Sequence, residues 1–449
     1  MAAKNRRKAL ILKIFKKVMA TLMALSIGAG TFTLELDAQV INKPVQTEPI
    51  LAEAAILMDV DSGTVLYEKN ADEQLHPASI TKIMTGLIAC ERGNMKDTVT
   101  FSRNAVAKNE STASSHIARD IGEKMTLEEC MYGMMLASAN ECADAISEHI
   151  AGDLDSFVKL MNERAKQLGC TNTHFVCTNG LTDEDHFVSA RDMAVIAAEA
   201  YKNPKLRKIM GTKKYTIPPT NIHNEPTYLR NQHDMVFPYR TSKYSYEYCT
   251  GGKTGYTEEA GNTLVTYAEK DGMRLVCVIL KDTVSYAKYK DTITLFDYGF
   301  DNYQHYTGNN ILDIKTDKNI KKLYKGVKLN ELSLEGDFVT LPKGTDTSKV
   351  TVDIKKIKRK TGSDKVGKVT FKEGDEVLGT SSILNKVELK REKARILAEK
   401  KAAIERAHRN KIIMIAAIIV FIVIVIGITG FFIVQRRRYR DNWTRRNRY

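Results

Sequence analysis

No CxxC pair occurs among the seven cysteines of this 449-residue chain, and no histidine stands at a spacing that would complete a zinc site with them. A zinc module is thereby excluded, and nothing else in the sequence implies a metal or a cofactor. The cysteine count is odd. Cys170 and Cys177 are near enough in sequence to be bridged, but free, buried thiols are the reading for most of the seven. No internal repeat is evident, which removes solenoids and propellers.

The central stretch lacks a basic excess, although the whole chain carries +14. Residues 1–17 hold seven Lys/Arg and no acid, 388–411 hold nine Lys/Arg against four Glu, and 435–449 hold seven Arg against one Asp. Those three segments account for +18, so residues 18–387 carry −4. A body of that charge offers no global surface for a phosphate backbone, and no nucleic-acid partner is expected.

What is present begins at the ends. The basic start and the apolar run Val18 to Phe32 have the layout of a secretory signal, taken as 1–38. A linker follows at 39–50. Ile412 to Val434 is 23 residues without a charge, long enough at about 1.5 Å per residue to cross a ~30 Å hydrocarbon core. We expect a transmembrane helix over 412–434 and a basic cytoplasmic tail over 435–449. Residues 388–411, free of Pro and Gly, are expected to form a juxtamembrane helix. The chain is thus expected at the cell membrane, single-pass, with its body outside.

Between the ends, Ala54–Met58 and Thr64–Tyr67 flank Asp61-Ser62-Gly63 as a β-hairpin. Pro77 stands just ahead of a buried helix that starts at Ser79, and a second helical stretch from Thr126 through Ile150 is interrupted near Ser138. Residues 153–205 are helical again, broken by a loop around Thr178–Leu181. Asn262–Glu269 and Met273–Leu280 make another hairpin around Lys270-Asp271-Gly272. This pattern predicts an α/β (α+β) catalytic domain over 51–304. Short alternating runs with Lys, Gly and Thr at the turns predict a small all-β domain over 308–387.

The chemistry-bearing residues form an ordered set. Ser79 and Lys82 make SxxK, one turn apart on one helix face, where a lysine of depressed pKa can take the serine proton. Bare SxxK recurs at Ser156–Lys159 and Ser285–Lys288, SxN recurs at Ser102–Asn104, and KTG recurs at Lys360–Gly362. Context separates them. Ser79 follows a proline at a helix start, Ser138-Ala139-Asn140 interrupts an apolar helical stretch, and Lys253-Thr254-Gly255 follows two glycines at a strand edge, whereas Ser156 and Ser285 lie in amphipathic, lysine-bearing segments and Lys360 in a basic run that reads as a solvated turn.

The series Ser79…Lys82, Ser138…Asn140, Lys253-Thr254-Gly255 resembles the signature of penicillin-recognising serine enzymes. The strings Pro77–Thr85, Leu57–Asp59 with Gly63–Tyr67, Lys253–Thr257 with Ala260-Gly261, and Asn179-Gly180-Leu181…Ser189–Ala194 narrow it to the low-molecular-mass serine D-Ala-D-Ala carboxypeptidases. The resemblance implies a penicillin-binding/β-lactamase-like transpeptidase domain that trims peptidoglycan stem peptides ending in D-Ala-D-Ala and is acylated by β-lactam antibiotics. It implies Ser79 as nucleophile, Lys82 as general base and Ser138 as proton relay. Asn140, Lys253, Thr254, Gly255 and Tyr256 would bind substrate, with the Ser79 and Tyr256 amides as oxyanion hole. His186 is read as a hydrogen-bonded structural residue.

Two departures stand out. The second motif continues Glu141-Cys142-Ala143 where the family more often has Asp and small residues, and a full span replaces the usual amphipathic surface helix. A β-lactamase would need a positioned deacylating base, and no Glu stands in a convincing neighbourhood for it. A D,D-endopeptidase and a non-catalytic wall-binding scaffold stay open as alternatives.

Overall fold

A computed structural model describes residues 49–107, 114–357 and 365–385, with scattered positions between 387 and 409. The expected signal segment, nearly all of the linker, the 412–434 stretch, the tail and the Lys360–Gly362 string lie outside the described residues. Among the described residues no helix is long and apolar enough to cross a membrane. The positions described between 390 and 409 are helical.

The first hairpin pairs β1 (Ala54–Asp59) with β2 (Val65–Lys69), turned by Gly63 at positive φ. Helix α1 (Lys82–Arg92) follows, then a small ribbon of β3 (Thr98–Thr100) and β4 (Lys124–Thr126). Next come α2 (Leu127–Leu136), α3 (Asn140–Ala151) and α4 (Leu154–Leu168). A Thr126/Glu129 capping box starts α2, and Asp153 caps α4 through the Ser156 amide. Then α5 (Ala190–Lys202), capped by Ser189, leads into α6 (Pro204–Gly211) and the ribbon β5 (Lys214–Ile217) with β6 (Thr227–Arg230).

Strands β7 (Cys249–Thr257), β8 (Gly261–Lys270) and β9 (Met273–Asp282) precede α7 (Ala287–Asn302). The five-stranded antiparallel sheet runs β2-β1-β9-β8-β7, which leaves β7 at an edge. Side chains alternate across this sheet. Leu57, Leu264, Leu275 and Cys277 pack with Leu295 and Phe296 of α7 on one face. On the other face Tyr267 sends its hydroxyl to the Ala197 carbonyl of α5. The expected break near Ser138 is the junction of α2 and α3.

After β10 (Tyr303–Thr307) the chain forms β11 (Leu332–Leu334), β12 (Phe338–Pro342), β13 (Thr351–Lys356), β14 (Lys365–Glu373) and β15 (Glu376–Asn385). A four-stranded sheet β11-β15-β14-β13 and a β10-β12 pair share a core of Ile320, Tyr324, Val339, Leu341, Val369 and Phe371. The region is mainly β and opens with two short helices, Gly308–Ile311 and Lys318–Leu323. It is stitched to β1: buried Asp59 accepts from His305 Nε2 at 2.7 Å and from Thr340 Oγ1 at 3.0 Å.

Candidate active site

Ser79 sits in a 3-10 turn, Ala78–Thr81, that feeds α1. Side chains three apart nearly eclipse in that geometry, so Ser79 and Lys82 stack on one side. Ala78 ahead of the serine holds φ at +50°, a left-handed conformation that an alanine adopts only when its surroundings impose it. Three neighbours do so. Thr263 Oγ1 of β8 donates to Pro77 O at 2.8 Å, and Gly255 and Gly180 press against the turn from two sides. A Cβ on Gly255 would lie 2.9 Å from the Ser79 amide nitrogen, and one on Gly180 would lie 1.9 Å from Ala78 O. Gly255, expected among the substrate-binding residues, acts by what it lacks: only a bare backbone lets β7 approach the nucleophile this closely.

Lys82 is completely buried, and its Nζ donates to Ser79 Oγ at 2.9 Å, Asn140 Oδ1 at 2.6 Å and Asn179 O at 2.6 Å. An ammonium has three protons for these three oxygens. Once neutral it has two, and the amide and backbone oxygens can only accept. The lone pair is then left facing Ser79 Oγ, the one partner able to turn donor. Burial lowers the Lys82 pKa to about 8, against the opposing pull of Cys177, Asp144 and Glu141.

Ser138 occupies the α2–α3 junction at φ +62°, and α3 begins at Asn140 without a side-chain cap. The Asn140 amide is satisfied instead by Ser115 O at 2.8 Å, while Asn140 Nδ2 donates to Ser114 Oγ at 2.7 Å. Glu141 accepts from the Ile117 amide at 2.6 Å, so segment 114–117 is docked on the second motif. Burial raises the Glu141 pKa. From β7, Lys253 Nζ donates to Ser138 Oγ at 3.1 Å and to Thr254 O at 2.8 Å. Lys253 pairs with Val265, two residues from Tyr267, so by strand alternation its side chain shares the α5 face of the sheet. Burial, then the charges of Lys82 and Lys288, hold its pKa well below the ordinary lysine value. Thr254 is half-buried and Tyr256 exposed at the rim.

Hydrogen bonds thus join Lys82 to Ser79 and Asn140 and join Lys253 to Ser138, Gly255 packs against the Ser79 amide, and Thr254 and Tyr256 flank Gly255 on β7. The two other SxxK copies do not join them: Ser156 and Lys159 lie on α4, Ser285 is exposed, and buried Lys288 donates to Asn262 Oδ1 at 3.0 Å. His186 is a structural residue with a closer tie than a loop position suggests. Its Nε2 pairs with Thr81 Oγ1 at 2.9 Å, its Nδ1 accepts from the Val176 amide, and burial lowers its pKa to about 4. All seven cysteines are free. Sequence inspection missed the Ser114 hydroxyl, the Asn179 carbonyl and Asp144. Only Asp144 left a trace, as an acid four residues beyond Asn140 on an inward helix face.

The D-alanyl-D-alanine carboxypeptidase family profile matches residues 41–284, more than half of the chain. The chain belongs to that family. Among curated members it is similar to D-alanyl-D-alanine carboxypeptidase DacF of Bacillus subtilis, 31% identical over 393 residues that span 84% of this chain and 95% of the relative. It is 30% identical to DacA of Haemophilus influenzae over 66% of this chain and 73% of that one. Penicillin-binding protein 5 of H. influenzae superposes with a TM-score of 0.60 at 25% identity, over 76% of this chain and 98% of its own. The Streptomyces K15 DD-transpeptidase superposes at 0.53 and 28%, over 57% of this chain and 100% of its own. Serine D-Ala-D-Ala carboxypeptidases are hydrolases of the penicillin-binding α+β fold.

Proposed function

We propose that Ser79 attacks the carbonyl of the penultimate D-Ala in a peptidoglycan stem peptide, passing its proton to neutral Lys82 and expelling D-alanine. The observation that carries this reading is the three-oxygen cage that leaves the Lys82 lone pair facing Ser79 Oγ. Ser138, linked to Lys253 Nζ, relays a proton to the leaving amine. The substrate carboxylate supplies the counter-charge that desolvated Lys253 lacks, with Thr254 as a second donor. Edge strand β7 offers unpaired backbone groups to an extended peptide, and the Ser79 and Tyr256 amides stabilise the oxyanion. Water then releases the acyl group; β-lactams enter by the same acylation and leave slowly.

The test is D-alanine release from a diacyl-Lys-D-Ala-D-Ala tripeptide by the full chain and by Ser79→Ala. Release by the parent alone supports the assignment, and a folded parent that releases nothing sinks it. The Streptomyces K15 neighbour is a DD-transpeptidase, so a second arm adds an amine acceptor and measures how the acyl group divides between it and water.

We further propose that the enzyme is exported and held by the 412–434 span with its tail in the cytoplasm, a reading supported by the uncharged 23-residue run and its basic flanks. The protein should stay in the membrane pellet through alkaline carbonate extraction and enter the soluble fraction when 412–449 are deleted. Release of the intact chain by carbonate would refute the anchor.

A further inference from the structure

Asp144 is a buried carboxylate with no place in the acylation scheme above. It sits one helical turn after Asn140 on α3 and so shares the face that meets Lys82. Its carboxylate accepts from Thr178 Oγ1 and, at longer range, from Asn179 Nδ2 at 3.4 Å. Segment 178–180 touches either helix α1 or the nucleophile turn at every residue. Thr178 O accepts from Thr85 Oγ1 at 2.6 Å, Asn179 O accepts from Lys82 Nζ, and Gly180 packs on Ala78.

One carboxylate thus pins the short segment whose carbonyl forms one wall of the lysine cage. Pinning matters because a neutral amine is directed only by its two acceptors. If the Asn179 carbonyl drifts, the lone pair is free to swing off Ser79 Oγ, and an error of about 1 Å costs on the order of a hundredfold in rate.

We propose that Asp144 is a positioning residue of the acylation step, acting on the general base Lys82 through the Thr178–Asn179 segment. The inference rests on the reading of Lys82 as the base. An electrostatic consequence follows from the same geometry. Lys82 is faced by Glu141, Cys142 and Asp144 from α3, by Cys177 and His186 from the 177–186 loop, and by Lys253 from β7. The carboxylates favour the ammonium form, so removing the Asp144 charge lowers the Lys82 pKa and moves the acid limb of acylation to lower pH.

The experiment follows acylation of the full chain by benzylpenicillin across pH, as a rate constant per labelled molecule, which misfolded molecules do not dilute. Asp144→Asn keeps an acceptor for Thr178 and removes the charge. Asp144→Ala and Thr178→Val remove the pin. The pin-removing variants are expected to acylate at least tenfold more slowly above pH 9, where the base is neutral in every variant. Asp144→Asn is expected to stay within threefold of the parent there, with its acid limb displaced downward by half a pH unit or more. Parent rates in Thr178→Val, or an unmoved acid limb in Asp144→Asn, would overturn the proposal and leave Asp144 as core packing. Should Asp144→Ala fail to fold, the other two variants still decide. A parent that acylates with no acid limb attributable to Lys82 overturns the base assignment instead, and this inference with it.

Discussion

In the proposed mechanism Lys82, which donates three hydrogen bonds at rest, accepts a proton during turnover. Its burial reconciles the two demands by bringing the pKa to about 8, so a useful fraction of the amine is present near neutrality. Acylation by benzylpenicillin should therefore rise with pH through a midpoint near that value, and stopped-flow rates between pH 6 and 10 check it. Lys82→Arg, whose guanidinium keeps its proton, should lose roughly a hundredfold or more. Gly255 yields a second prediction at this scale. Its Cβ would lie 2.3 Å from Thr263 Oγ1 as well as against the Ser79 amide, so Gly255→Val should cut acylation by about a hundredfold with melting temperature changed far less. The types and order of Ser79, Lys82, Ser138, Asn140 and Lys253 were legible because each motif sat in a context its duplicates lacked. The Asn179 carbonyl was not, since any residue has one and only the fold aims it.

At the scale of elements, hairpins were the most readable because turn residues announce them: Asp61-Ser62-Gly63 and Asp271-Gly272 stand where β1–β2 and β8–β9 reverse. The α2–α3 break was equally plain, a serine and an asparagine cutting an apolar run. The helices Gly308–Ile311 and Lys318–Leu323 were read as part of a β region, since four to six residues are too few to show a 3.6 period. Between β11 and β12, buried Glu335 meets Lys202 of α5 at 3.1 Å and Lys365 of β14 at 2.8 Å. Burial alone would raise its pKa, but Lys365 and Lys202 bring it down to about 2. A depressed carboxylate stabilises the fold above its unfolded pKa near 4.3, and that contribution is lost as pH falls toward 2. Glu335→Gln should thus cost a few kcal/mol at pH 7, with the gap to the parent narrowing below pH 4 in thermal melts. A constant gap at all pH would assign the loss to packing.

The whole molecule depends on a few long-range ties. Asp59 accepts from the Asp61 and Ser62 amides of its own turn and from His305 and Thr340 of the β region. Asp59→Ala would strand the buried Asp61, Ser62 and Thr340 donors at about 1–3 kcal/mol apiece, so a drop in melting temperature of several degrees or more is expected by calorimetry. Charge, too, is organised at this scale: the excess sits at both ends and the body is slightly acidic, a pattern that left the junction with the β region invisible.

The cage around Lys82 collects oxygens 3, 58 and 97 residues away along the chain. No short fragment contains it, and contacts of such separation form late because loop closure must come first. Covalent capture of a fluorescent penicillin is therefore a census of finished molecules: during refolding the label should appear only after helical signal has recovered, and each labelled chain is one whose last long loop has closed.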